Sequence, residues 1–276
     1  MNRLRRHLLG LIVGLPCAPM AAAATRLRFG VVPQMPPAEL ARAWTPFIEF
    51  VGERVGLDLR FATAPDIPTF EARLADGQYD IAYMNPYHYT VFHQRPGYRA
   101  FAAEAGRRLR GILVVREDSP LAELGALGGR TLAFPAPASF AATVLPLAEL
   151  SRRGVPVTPR YVNSHASVYL TVAAGLYPAG GGVQGTFDQA PDDIRAQLRV
   201  LWTSAPTSPH AFAAHPRVGS AVVMRVRQAM VAMADDEAGR ALLKGIGFKG
   251  VAAAEDGAWD DVRALQLGRL APLLRD

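Results

Sequence analysis

Residues 26–32 read RLRFGVV, a stretch that alternates polar and apolar side chains and then becomes fully apolar. This pattern predicts a strand that enters a buried sheet. From Glu39 to Val55 the apolar residues recur at helical spacing, and Gly56 supplies a stop signal. A second strand is predicted over Leu57–Ala62. The order strand, helix, strand predicts an α/β fold with helices packed on a parallel sheet.

The same alternation continues further along the chain. A helix is predicted over Thr69–Leu74 and ends before Gly77, and YDIAY at residues 79–83 reads as a third strand. In sheets of this kind, ligands bind at the carboxyl ends of the strands. The loops after Val32 and Tyr83 are therefore candidate ligand-binding loops.

A second series of strands and helices begins beyond residue 116. GILVVR (111–116) reads as a strand, residues 117–129 as a polar linker, and RTLAF (130–134) as the start of a fresh series. We therefore expect two α/β lobes. Residues 25–115 would form the first part of lobe 1, residues 116–205 lobe 2, and residues 206–276 the return to lobe 1 with its C-terminal helices. The Pro-rich segment 203–209 would be the return crossing.

Residues 1–24 show the three parts of a secretory signal peptide. Arg3, Arg5 and Arg6 precede the apolar run 8–15, and four alanines at 21–24 supply a cleavage site. We expect cleavage after Ala24. Cys17 raises the alternative of a lipid anchor, but Pro16 stands directly before it, where a lipoprotein signal would have a small residue.

The composition is that of a globular protein. Half of the 276 residues are hydrophobic and a fifth are charged, so the chain can bury a core. The net charge of +6 becomes +3 when the three signal-peptide arginines are removed. The single cysteine would leave with the same segment, which excludes a disulfide framework and a cysteine nucleophile. No basic run with interleaved aromatic residues occurs, so nucleic acid is not an expected partner.

The loop FPAPASFAAT (134–143) is a candidate anion site. A predicted strand ends there, and Ser139 stands at the N-cap position of an apolar helical stretch. Free backbone N–H groups and the positive end of the helix dipole attract anions at such a position. The alternative is simple helix capping by Ser139.

Three further groups offer neutral hydrogen-bonding side chains. His165 follows a predicted strand, and it could donate to an oxyanion or satisfy a neighbouring backbone group. Gln184 and Asp188 follow a Gly-rich segment, 180–185, which could let a ligand approach the backbone or could be a tight turn. Tyr83 and Asn85 lie at the end of the third strand, although a tyrosine there could simply line the core.

Other signals in the sequence are weaker. Gly245, Gly247 and Gly250 fit G-x-G-x-x-G, but they follow a helix and too few residues remain for a dinucleotide-binding unit. We expect no metal and no cofactor. The pairs His88 with His93 and His210 with His215 lack the acidic residues and cysteines that would complete a metal site. Ser139, His165 and Asp188 follow the chain order of a hydrolase triad, but Ser139 is not in a G-x-S-x-G motif.

Taken together, four segments resemble one known family, the periplasmic substrate-binding proteins of phosphate, phosphite and phosphonate ABC transporters. In order, they are FGVVP (29–33) with Trp44-x-Pro46, GQYDIAYMNPYHY (77–89), GRTLAFPAPASF (129–140), and NSHASVY (163–169) with GGGVQGTFDQ (180–189). The resemblance covers nearly all of the mature chain. It implies the type II periplasmic binding protein fold, in which two α/β lobes with mixed sheets, joined by two crossing segments, close on a ligand.

The resemblance also implies roles for particular residues. Tyr83, the hydroxyl and backbone amides at Ser139, and His165 would hold the oxyanion, and Asp188 is the nearest match to the acidic residue that binds an amino group in some members. Where phosphonate binders typically show Ser-Thr-Ser-Gly, this chain has Ser139-Phe140-Ala141-Ala142. Two hydroxyl donors are therefore missing, and Phe140 predicts a smaller or more apolar pocket.

The function expected from this reading is capture of a small oxyanion in the periplasm for delivery to an ABC permease, by a monomer that performs no catalysis. One alternative is a ligand-sensing partner of a membrane signalling protein, such as a sensor kinase, that uses the same closing lobes. A second alternative is a hydrolase that uses Ser139 and His165.

Overall fold

The computed structural model describes residues 26–265 and residue 267. Residues 1–25, which include the predicted signal peptide, lie outside the described residues, and so do residue 266 and residues 268–276. Within the described part of the chain, every helix is too short or too polar to cross a membrane.

Strands and helices alternate along the chain as the sequence predicts. The strands are β1 (Arg26–Val31), β2 (Asp58–Ala62), β3 (Ile81–Met84), β4 (Arg99–Glu104), β5 (Gly111–Arg116), β6 (Thr131–Phe134), β7 (Thr158–Tyr161), β8 (Gly180–Val183), β9 (Leu198–Thr203), β10 (Ala211–Ala214) and β11 (Val251–Ala253). The α-helices are α1 (Pro37–Val55), α2 (Ile67–Ala75), α3 (Pro86–Gln94), α4 (Leu145–Arg152), α5 (His165–Ala173), α6 (Gln184–Asp188), α7 (Asp192–Arg195), α8 (Ser220–Val231), α9 (Glu237–Gly245) and α10 (Asp260–Arg263).

The strands form two mixed sheets. The first has six strands in the order β11-β4-β10-β3-β1-β2, and the second has five in the order β7-β6-β8-β5-β9. In the first sheet β1 runs parallel to β2 and β3, whereas β10 runs antiparallel to β3. In the second sheet β6 runs parallel to β7 and β8, and β5 is antiparallel to β8. The predicted α/β class with mixed sheets is confirmed.

Helix α1 shows why the local sequence folds as it does. Its residues Leu40, Trp44, Phe47, Ile48 and Val51 are buried, because their spacing places them on one face of the helix. The helix ends at Gly56, whose φ of 64° is the left-handed conformation that glycine adopts without a steric penalty.

Two crossing segments connect the sheets. One leads from β4 to β5 and the other from β9 to β10, and they pair with each other through two hydrogen bonds of 2.9 Å between the backbones of Leu109 and Thr207. Because β5 belongs to the second sheet, we propose that the first crossing comprises residues 105–110, before β5, and not the chain after residue 115.

Three details differ from the sequence-based expectation. The sequence pattern does not predict strands β4, β10 and β11, and the first C-terminal helix begins at Ser220, although apolar residues recur at helical spacing from Pro216 onward. Strand β10 reads AFAA and is buried throughout, so it shows no polar alternation from which a strand could be recognised. The Gly-rich segment is neither a turn nor a loop, since residues 180–183 form strand β8.

The glycines of β8 and β5 allow helices to pack unusually close to the second sheet. A Cβ atom at Gly181 would lie 1.9 Å from the carbonyl oxygen of Ala142, and one at Gly111 would lie 2.2 Å from that of Ala141. Both carbonyls belong to the π-helical turn Phe140–Val144 that precedes α4. The glycines therefore set the position of this turn on the sheet.

Replacing Gly181 with alanine is expected to lower the melting temperature, because the added methyl group has no space. Overpacking of this kind costs about 1–3 kcal/mol, which thermal unfolding resolves. Gly245→Ala is the matched control, since a Cβ atom at Gly245 meets nothing within 4 Å and alanine favours the helix. A Gly181→Ala variant as stable as the wild type would contradict this role of the glycine surface.

Candidate functional site

A small cavity lies between the two sheets, and we call it the inner cavity. Its volume is about 20 Å³. On the same scale, one buried water molecule needs about 10–15 Å³. It therefore suits a compact ion better than a sugar or a peptide. Its walls are Val32, Gln34, Ile67, Asn85, Leu109, Ser139, Phe140, Ala141, His165, Val183 and His210.

The start of the π-helical turn supplies hydrogen-bond donors to this cavity. The carbonyl oxygen of Ser139 accepts from the N–H groups of Thr143 at 2.7 Å and Val144 at 3.2 Å. The Ser139 side chain occupies the N-cap position but makes no capping hydrogen bond, so its hydroxyl is not committed to the helix. Within the described chain, the N–H groups of Phe140 and Ala141 find no backbone acceptor, so they can donate to a ligand.

His165 is the first residue of α5. The side chain of Ser164 caps this helix by accepting from the N–H of Ser167 at 3.0 Å, so His165 is not needed as a cap. Its side chain is buried, and its Nδ1 atom has no hydrogen-bond partner in the described structure. Burial lowers the pKa of His165 to about 4. His165 is therefore a neutral imidazole with hydrogen-bonding capacity to spare.

His210 brings a second imidazole to the cavity, and sequence analysis did not select it for this role. Strand β10 pairs antiparallel with β3, so Ala211 lies opposite Met84 and His210 reaches the edge where β3 ends. Its ring stacks on Tyr83 with centroids 5.0 Å apart, and its Nε2 atom lies 3.2 Å from Nε2 of Gln34. Burial, assisted by the nearby His88, Arg107 and His165, lowers the pKa of His210 to about 3.

Asn85 joins the two sides of the cavity. Its Oδ1 atom caps α3 by accepting from the N–H of His88 at 2.8 Å. Its Nδ2 atom donates to the carbonyl oxygen of Ala138 at 3.0 Å, in the loop that follows β6 of the other sheet. A residue after β3 thus holds the loop that carries Ser139.

The electrostatics of the inner cavity depend on neutral groups. None of the described residues that line it is a lysine or an arginine. Backbone N–H groups, a hydroxyl, the two side-chain amides of Gln34 and Asn85, and two neutral imidazoles remain as its polar lining. Oriented dipoles of this kind stabilise an anion in a water-poor space without a countercharge.

A larger space adjoins the inner cavity, and we call it the outer chamber. Its volume is about 360 Å³ on the same scale. The residues that line both spaces are Gln34, Leu109, His165, Val183 and His210. Tyr83, predicted to contact the oxyanion, lies in the wall of this chamber and not in that of the inner cavity. Burial raises the pKa of Tyr83 well above its usual range, so its hydroxyl stays protonated.

The other predicted site residues fall into two groups. Asn85, Ser139, Phe140 and His165 all line the inner cavity. Gln184 and Asp188 line neither space. Instead, Nε2 of Gln184 donates to Oδ1 of Asp188 at 2.8 Å on the exposed side of α6. The structure therefore separates this pair from the residues around the cavity.

The contacts also bear on hydrolysis and on metal binding. A Ser-His-Asp triad needs the acid to accept from Nδ1 of the histidine, but Nδ1 of His165 has no partner and Asp188 is bonded to Gln184. The described residues contain no group of three or more His, Cys, Asp or Glu side chains placed to hold a metal ion.

Two mixed α/β sheets, two crossing segments and a polar cavity between them define a type II periplasmic binding protein. Residues 29–259 match the family model described as ABC transporter, phosphonate, periplasmic substrate-binding protein. The chain belongs to this family, as its sequence motifs predict.

Known relatives are distant in sequence but similar in fold. The phosphate-import protein PhnD of Mycolicibacterium smegmatis is 21% identical over 233 residues, which are 73% of this chain and 70% of the relative. The structure of PhnD1 from Prochlorococcus marinus in complex with methylphosphonate has a TM-score of 0.79 at 12% identity and covers 90% of this chain and 99% of its own. A Xanthomonas citri protein bound to ATP has a TM-score of 0.78 at 21% identity, over 91% and 100% of the two chains.

Acidification from pH 7 to pH 5 is expected to destabilise the ligand-free protein through His165 and His210. Both stay neutral when folded, but they take up protons when unfolded, because the ordinary pKa of histidine is about 6.5. The unfolded state then binds more protons, so the free energy of unfolding falls below about pH 6.5, by roughly 2 kcal/mol per histidine at pH 5. Urea unfolding at the two pH values measures this loss.

The variant His210→Asn should lose part of this pH dependence, because asparagine does not titrate. If the wild type and His210→Asn lose the same stability between pH 7 and pH 5, the folded protein does not hold His210 neutral.

Proposed function

We propose that this chain captures a small phosphorus oxyanion, a phosphonate, phosphite or phosphate, in the inner cavity and delivers it to an ABC permease. The observation that carries the proposal is the set of donors around that cavity. The uncapped start of the π-helical turn, Ser139 with its free hydroxyl, and the imidazoles of His165 and His210 all line one small cavity. The family match supports the same function.

Binding would replace the hydration shell of the anion with fixed dipoles. Donors that are already oriented cost little to reorganise, and a wrong ligand would leave some of them buried and unpaired. Asn85 would favour the closed arrangement through its bond to the carbonyl oxygen of Ala138. Selectivity would thus come from hydrogen-bond geometry and not from net charge.

The ligands named for the relatives all contain phosphorus, which supports a phosphorus ligand here. They differ in the group that is attached to the phosphorus. One relative is a phosphate-import protein, one structure holds methylphosphonate and another holds ATP. We infer that this chain binds within that chemical class and performs no catalysis. Because the matching family model describes transporter components, we favour delivery to a permease over partnership with a sensor kinase.

We also propose that residues 1–24 are a signal peptide and that the mature protein acts as a monomer in the periplasm. The basic start, apolar centre and alanine-rich end of this segment support export. Intact mass of the exported protein should show cleavage after Ala24, and a retained or lipid-modified Cys17 would contradict it.

Isothermal titration of the exported protein with phosphate, phosphite, methylphosphonate and sulfate tests the proposed function. We expect at least one phosphorus oxyanion to bind, and a saturating ligand at a hundredfold over its Kd should stabilise the fold by about 2.7 kcal/mol. Binding of sulfate alone, or of none of these ions, would contradict the proposal.

The variant His165→Ala should weaken binding of that oxyanion at least tenfold, because a hydrogen bond to a charged group contributes about 1.5–3 kcal/mol. His215→Ala is the matched control, since His215 lines a separate surface groove and not the inner cavity. Unchanged affinity in His165→Ala would remove this residue from the site.

A further inference from the structure

The outer chamber is much larger than the oxyanion site that it adjoins. Its space of about 360 Å³ compares with about 20 Å³ for the inner cavity. The two spaces meet at His165 and His210, which line both. An oxyanion held in the inner cavity would therefore direct any substituent into the chamber.

One wall of the chamber is a cluster of aromatic rings that surrounds Trp44. The ring centroids of Trp44 and Tyr83 are 4.7 Å apart, and those of Trp44 and Phe248 are 5.7 Å apart. These rings pack against one another and are 5% exposed for Trp44, 6% for Tyr83 and 8% for Phe248. A small part of each ring therefore reaches the chamber, where another ring can pack against it.

The opposite wall comes from the elements around the second sheet and is apolar apart from His165, Thr186 and Gln189. It includes Tyr169 and Leu170 on α5, together with Pro191 and Ile194 around α7. Leu170 is 51% exposed and Met35, across the chamber, is 40% exposed. Exposed apolar side chains on both sides of one opening are typical of a surface that binds an apolar group.

Two of the described residues that line the chamber carry charge. Among the described residues of its lining, only Glu104 and Arg107 are charged, and Nε of Arg107 lies 3.9 Å from Oε2 of Glu104. Asp188, the residue that the family resemblance suggests for an amino group, does not line the chamber. An ammonium group in the chamber would therefore have to compete with Arg107 for the carboxylate of Glu104.

From these walls we infer that the preferred ligand is a phosphorus oxyanion with an apolar substituent at least as large as an aromatic ring. This inference rests on the proposed function, because the oxyanion end of the ligand occupies the inner cavity. The ring packs between Trp44 on one side and Leu170 on the other. An aminoalkyl substituent is disfavoured, because its ammonium group would lose its hydration and would have to displace Arg107 to gain Glu104 as a partner.

Calorimetry with phosphate, methylphosphonate, 2-aminoethylphosphonate and benzylphosphonate tests the inference on the exported protein. We expect benzylphosphonate to bind at least tenfold more tightly than methylphosphonate, and 2-aminoethylphosphonate to bind no more tightly than methylphosphonate. If methylphosphonate binds as tightly as benzylphosphonate, the inference fails while the proposed function stands. If neither these four ligands nor phosphite binds, both fail.

The variant Leu170→Gln tests whether the aromatic substituent of benzylphosphonate binds in the outer chamber. It should weaken benzylphosphonate binding at least threefold and leave methylphosphonate binding within twofold. Leu176→Gln is the matched control, because Leu176 is 70% exposed and lines neither space. Equal effects of the two variants on benzylphosphonate would overturn the placement of the ring in the outer chamber.

Discussion

The candidate site depends on the close packing of one helical turn against glycines of the second sheet. At Gly111 and Gly181 a side chain would collide with the carbonyl oxygens of Ala141 and Ala142. With hydrogen at these positions, the turn lies on the sheet, and Ser139, Phe140 and Ala141 at its start line the cavity. The Ser139 carbonyl accepts two hydrogen bonds from the turn, while the Ser139 hydroxyl remains uncommitted to it. One steric constraint thus fixes the donors that an anion would meet.

The two sheets place complementary groups on either side of the cavity. The loop after β3 supplies Asn85, the residue before β10 is His210, and the start of α5 supplies His165. Burial keeps both imidazoles neutral. A site of neutral donors distinguishes ligands by the number and direction of the hydrogen bonds that they accept, whereas a site of arginines would attract many anions through charge.

Individual residues show which parts of the site can be predicted from the sequence. Ser139 and His165 were selected because they follow predicted strands, and both line the inner cavity. His210 was missed because β10 is short, fully buried and rich in alanine, so neither the strand nor its direction could be recognised. Gln184 and Asp188 were selected by their position after glycines, but those glycines serve helix packing. The two side chains hydrogen-bond to each other and do not line the cavity.

The sequence by itself determined the α/β class, the helices with one apolar face and the family, since hydrophobic periodicity and ordered motifs are local properties of a chain. Only the tertiary structure decided which of the candidate site residues lie together around one cavity. The antiparallel pairing of β10 with β3 places His210 beside Tyr83. The tertiary structure also places the larger outer chamber next to the small polar cavity. Strand order and the distance between sheets are set by packing among residues far apart in the chain, and such packing leaves no local pattern to read.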